Sequence, residues 1–147
     1  MSMLSRRKFI QQSSLGLGFA IMPSSFKFFD MNGFVSQRPE FSKRKFTSIA
    51  VENTIKKVKK SIADEELAWI FENCFPNTLD TTVNYYQKNG KPYTYVITGD
   101  IDAMWLRDSS AQVFPYLSLA KDDEKLKNLL KGVINKQIEF VLLDPYA

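Results

Sequence analysis

Between Asp122 and Pro145 the chain carries one long apolar stripe. Leu126, Leu129, Leu130, Val133, Ile134, Ile138, Val141 and Leu142 recur at the spacing of a single helix face. Asp122 or Asp123 stands where a side chain caps the helix start, and Asp144-Pro145 ends it. A helix with such a stripe buries it only against another layer, so the rest of the chain has to supply one.

The preceding segments supply helices and one hairpin. Ile49, Val51, Ile55, Val58 and Ile62 predict an amphipathic helix from about Ser48 to Ser61, with Lys56, Lys57, Lys59 and Lys60 on its wet side. Asp64 predicts the cap of a second helix, with Glu65 and Glu66 in its first turn and Leu67, Ile70 and Phe71 as its apolar stripe. That helix is expected to stop near Cys74, because Pro76 cannot continue it, and Cys74 reads as inert core. From Leu79 the pattern turns extended: Thr81, Thr82, Val83, Tyr85 and Tyr86, then a turn at Lys88-Asn89-Gly90-Lys91, then a returning strand from Tyr93 to Ile97. Beyond it, Asp108 or Ser109 is expected to cap a helix through Leu119, kinked or broken early by Pro115.

Composition removes several classes of chemistry. The chain has no histidine and a single cysteine, Cys74, so an intrachain disulfide, a Ser-His-Asp triad, a Cys-His pair and a His-ligated metal are all excluded within it. No metal ligand set or cofactor motif is found, which leaves carboxylate chemistry. The net charge of +4 is unevenly spread. Residues 1–60 hold twelve Lys and Arg against three Asp and Glu, whereas residues 61–147 hold eight against thirteen. A nucleic-acid-binding fold gathers positive charge on its folded face, and here the folded part is acidic, which argues against nucleic acid as a partner.

The polar residues of interest crowd into Thr98-Gly99-Asp100-Ile101-Asp102-Ala103-Met104-Trp105-Leu106-Arg107-Asp108-Ser109-Ser110. The forked guanidinium of Arg107 beside the carboxylate of Asp108 suits a ligand with adjacent hydroxyls. The indole of Trp105 offers a flat face for the C–H side of a sugar ring. A second reading has equal standing on chemistry alone: a buried Arg–Asp pair pinning a helix start, with Trp105 as core. A third has Asp100, Asp102 and Asp108 acting directly as catalytic carboxylates, which needs Asp102 and Asp108 to face each other across a bond.

At the amino end, Ser5-Arg6-Arg7-Lys8-Phe9-Ile10-Gln11 has the twin-arginine form, followed by a short apolar stretch from Ser13 to Met22. Residues 1–25 therefore read as an export signal, too short to span a membrane as a helix. No good small-x-small cleavage pair follows it, so an uncut leader is the expected route to any membrane attachment. Residues 26–46 read as a linker with turn signals at Asn32-Gly33 and Arg38-Pro39, and 47–147 as the folded part.

Three stretches together carry a family resemblance: Glu72-Asn73-Cys74-Phe75-Pro76-Asn77-Thr78-Leu79-Asp80, the central run through Gln112, and Asp144-Pro145-Tyr146-Ala147. Over roughly residues 46–147 the chain resembles glycoside hydrolase family 125, the exo-acting α-1,6-mannosidases built on an (α/α)6 barrel. The resemblance implies a mainly α fold, the N-terminal part of such a barrel with a β-hairpin before the sugar-binding motif. It implies that Arg107 and Asp108 grip hydroxyls of the terminal, non-reducing sugar of a mannose-containing oligosaccharide, and that Asp102 and Trp105 line the same pocket. It further implies inverting, metal-independent hydrolysis by a carboxylic acid and a carboxylate base that lie beyond Ala147. With about four helices of a twelve-helix barrel, the chain is expected to be inactive by itself and to expose apolar helix faces. Its expected location is exported, periplasmic or at the surface of a bacterium. The alternative is a non-catalytic carbohydrate-binding or interaction protein.

Overall fold

The computed structural model describes residues 34–145; the leader and the first part of the linker lie outside them. The described chain is mainly helical with one hairpin. In order come α1 (Ile49–Ser61), α2 (Glu65–Cys74), β1 (Val83–Lys88), β2 (Lys91–Val96), α3 (Leu106–Val113) and α4 (Glu124–Leu143), with short 3-10 turns at Phe41–Lys43 and Phe114–Leu119 and a π turn at Thr78–Thr82. No described helix is both long and apolar enough to cross a membrane.

Local cap chemistry sets the helix starts. Ser48 accepts from the Val51 amide, Asp64 from Leu67 and Asp123 from Leu126, each side chain satisfying a donor that the first turn leaves open. The Asp123 carboxylate also accepts from the Ser48 hydroxyl at 2.6 Å, so one acid ties the starts of α1 and α4 together. Burial opposes its charge, yet the bonds from Ser48 and from backbone amides hold its carboxyl below the usual range. The hairpin pairs Val83 with Val96 through Lys88 with Lys91, and Asn89 and Gly90 both take positive φ. Two such residues make the tight turn whose twist matches that of the strands.

The core lies between α4, the hairpin and α1. Leu126, Leu129 and Val133 of α4 meet Val83 and Val96 of the hairpin, with Val51 and Ile55 of α1 beside them. Gly132 lets α4 lie against β2 at backbone distance: a Cβ there would stand 2.8 Å from the Tyr93 carbonyl carbon and 2.9 Å from the Thr94 amide nitrogen. Tyr116 closes one end, its hydroxyl donating to the Phe75 carbonyl, and its burial pushes the phenol pKa up to about 12.

Several sequence expectations need correction. Cys74 is exposed, because α2 turns Ala68 and Phe71 inward, with Phe75 just beyond its end, and Cys74 falls off that face; Leu67 and Ile70 are exposed for the same reason. Ile49 also faces solvent. Thr81 and Thr82 are not yet extended: their hydroxyls donate to the Asn77 and Thr78 carbonyls four residues back and hold a helical turn. The helix after the motif starts at Leu106, with Trp105 at its cap position and no side-chain cap, so neither Asp108 nor Ser109 caps it. It ends at Val113, and Pro115 sits at the start of the 3-10 turn that follows. The stripe of α4 is buried only as far as Val133; Ile134, Ile138, Val141 and Leu142 are exposed.

Candidate functional site

The loop from β2 to α3 is held by one threonine. Thr98 is buried; its amide and its hydroxyl both donate to the Ala103 carbonyl, at 2.8 and 2.9 Å, and the same hydroxyl accepts from the Trp105 amide at 3.0 Å. Gly99 takes φ +85, a conformation that favours glycine, and so lets the chain reverse immediately after the clamp. Met104 then inserts into the core, its sulfur accepting from the Val96 amide. Trp105 is thereby delivered to the surface at the start of α3, with Arg107 and Asp108 in the first turn behind it.

These residues line an open cleft of about 420 Å³. Trp105, Arg107 and Asp108 line it, with Gln112 one turn further along α3, together with Thr98, Gly99, Asp100 and Ile101 of the clamped loop. Arg107 is 89% exposed in its side chain and Asp108 43%, and Arg107 Nη2 donates to Asp108 Oδ2 at 3.2 Å. The reading of this pair as a buried helix pin is excluded by that exposure and by the absence of a cap. An ion pair so open to water contributes little to stability. Its donors and acceptors face the cleft and are available to hydroxyls of a ligand.

Asp102 stands apart from the cleft lining. The phenol of Tyr95 on β2 lies near it, its pKa raised by burial first and by the charge of Asp102 second. Gln112 belongs to the lining and was missed by sequence reasoning; its position four residues after Asp108, hence on the same helix face, is the signal that identifies it. Its Oε1 is a buried side-chain atom with no hydrogen-bond partner among the described residues.

A second polar cluster, also missed, lies away from the cleft. Arg38, 6% exposed in its side chain, donates through Nε to Asp80 Oδ2 at 2.8 Å and through Nη2 to Glu52 Oε1 at 2.6 Å. Arg44 adds a bond to Glu52 at 3.2 Å. Burial lowers the Arg38 pKa, but the bonds to Glu52 and Asp80 outweigh it and leave the guanidinium more firmly charged than usual. The cluster pins residues 38–44 to α1 and to the π turn, and its role is to hold the fold. Among the described residues no group of three or more His, Cys, Asp or Glu side chains is placed to hold a metal ion.

The cleft is polar, carries an exposed indole and sits on a helical frame. Comparison with known proteins makes the class specific. The family of metal-independent alpha-mannosidases, GH125, matches residues 64–147. The Meiotically up-regulated gene 157 protein of Schizosaccharomyces pombe is 51% identical over 112 residues, which are 76% of this chain and 22% of that protein. A solved metal-independent alpha mannosidase of Streptococcus pneumoniae, in a non-productive complex with alpha-1,6-mannobiose, is 40% identical with a TM-score of 0.61, covering 70% of this chain and 24% of that one. The chain belongs to the GH125 family, and it spans about a quarter of the length of these relatives.

Proposed function

We propose that this chain supplies one wall of the terminal-sugar pocket of an exo-α-1,6-mannosidase. The observation that carries the reading is the exposed Arg107–Asp108 pair beside Trp105 in an open cleft, on a chain that belongs to a mannosidase family. In this reading the guanidinium and carboxylate grip neighbouring hydroxyls of the non-reducing mannose while the sugar's C–H face rests on the indole. Hydrolysis proceeds with inversion, by an acid and a base contributed by parts of the domain outside these residues, within an (α/α)6 barrel.

The expected result is weak binding of α-1,6-mannobiose to the chain by saturation-transfer NMR, without turnover. Arg107→Ala and Asp108→Ala should each weaken that binding about tenfold or more while leaving the far-UV circular dichroism unchanged, since charge-assisted bonds are worth about 1.5–3 kcal/mol. Unchanged binding in both variants would sink the gripping role. Robust hydrolysis by this chain alone would sink the assignment of the acid and base to other parts.

We further propose export through the twin-arginine leader, with delivery to the periplasm or cell surface. A reporter fused behind residues 1–46 should leave the cytoplasm, and replacement of Arg6 and Arg7 by Lys should retain it. Export indifferent to that replacement would refute the reading.

A further inference from the structure

Among the described residues, Gln112 Oε1 is the buried side-chain polar atom that lacks a hydrogen-bond partner. The other polar side chains of α3 are engaged. Arg107 and Asp108 bond each other, and the hydroxyls of Ser109 and Ser110 donate to the Leu106 carbonyl at 3.2 and 2.7 Å. The amide of Gln137 on α4 donates to the same carbonyl and to both hydroxyls at 2.8–3.1 Å, so a glutamine beside α3 finds partners where they exist. An amide carbonyl enclosed without a donor has given up its water for nothing, and folded proteins keep such groups rare. The enclosure is made by the chain's own atoms, so a neighbour packed on the outside of α3 does not reach the oxygen where it stands.

Gln112 is half-buried as a whole and lines the cleft, on the face of α3 that carries Asp108 and one turn beyond it. Its side chain is unbranched, and rotation between staggered positions carries the carbonyl from its enclosed seat into the cleft. That rotation breaks no hydrogen bond and gains one wherever the cleft holds a donor. The partner has to donate, because a carbonyl oxygen only accepts; ionised Asp108 also only accepts, and Arg107 only donates. A ligand that satisfies both acceptors carries two neighbouring hydroxyls. We propose that Gln112 is a specificity-determining residue of the cleft: its side-chain carbonyl turns outward and accepts from a hydroxyl next to the one that Asp108 holds. The cleft then discriminates against a sugar that lacks that hydroxyl. The inference rests on the reading of the cleft as a sugar pocket.

Two measurements on the full chain test it. In the first, Gln112→Met, which keeps the length of the side chain and removes the carbonyl, is compared with wild type by urea unfolding. A midpoint equal to or above that of wild type is expected, since the change removes an unpaired buried group and orphans no partner. A lower midpoint would overturn the proposal, because the oxygen would then be bonded in the resting protein. In the second, methyl α-mannoside and its 2-, 3- and 4-deoxy analogues are titrated against both proteins by saturation-transfer NMR. One deoxy sugar should bind wild type about fivefold to tenfold more weakly than the parent sugar, the worth of one hydrogen bond. Gln112→Met should bind that deoxy sugar and the parent alike, a coupling to a single hydroxyl that a merely structural role would not produce. Deoxy losses that the substitution leaves unaltered refute the role of Gln112 and leave the sugar pocket standing. A wild-type chain that binds no mannoside refutes the pocket itself, and this proposal with it.

Discussion

Gly132→Ala should destabilise the domain by about 3 kcal/mol, the upper end of what overpacking a tight contact costs. In an ordinary helix interior the same change is favourable by about 0.5–1 kcal/mol, because alanine loses less freedom on folding. The sign reverses here because the added Cβ meets backbone at 2.8 and 2.9 Å, and backbone in a paired strand cannot swing aside as a long side chain does. The Thr94 hydroxyl is also in the way, and it is committed to the Leu129 carbonyl at 2.8 Å. Urea unfolding of the two proteins measures the effect. A neutral or stabilising result would mean that α4 and β2 do not cross this closely.

Arg38→Ala carries the second large effect, about 3–5 kcal/mol, the cost of leaving a buried charge without its partner. Asp80 is 3% exposed and receives two bonds from this guanidinium. Arg38→Lys should recover little, because a single ammonium cannot bridge Asp80 and Glu52 in the two planar directions that the guanidinium uses. The effect should also depend on pH. The hydrogen bond from Arg38 holds the Glu52 carboxyl below its ordinary 4.5 against the opposing pull of burial. A depressed folded pKa gives stability that is fully present above the unfolded value and lost as pH falls through the folded one. The gap between wild type and Arg38→Ala should therefore be widest near neutrality and narrow below about pH 4.5. Chemical unfolding at a series of pH values reads this directly; a gap independent of pH would remove Glu52 from the account.

What could be read from the sequence follows the range of each interaction. Ser48, Asp64 and Asp123 are legible as caps because the bond each makes closes within three residues. Asn89-Gly90 is legible as a hairpin turn because the backbone angles it needs are nearly exclusive to such residues. Arg38 is not legible, since its partners lie 14 and 42 residues away and nothing nearby in the chain announces them. Gly132 sits inside a good helical pattern, where its missing side chain matters only once β2 has crossed it. Cys74, Leu67 and Ile70 obey helical spacing, but the phase that turns inward is set by Ala68 and Phe71, a tertiary choice. In the site, three neighbours in sequence, Trp105, Arg107 and Asp108, stay neighbours in space because one helix start carries them. Asp102 departs because the chain reverses at Gly99 and Thr98 closes the loop onto Ala103 and Trp105, five and seven residues on, which is beyond the three-residue reach of a cap.

That threonine has a consequence for how the protein can diverge. The clamp uses one hydroxyl, one amide and one carbonyl, and Gly99 makes the bend, so Asp100, Ile101 and Asp102 are enclosed by a scaffold that does not depend on their identity. Descendants of this chain are free to exchange Asp100 and Ile101, the two of them that line the cleft, while the indole keeps its place, which gives selection a means of retuning what enters the cleft without rebuilding its frame.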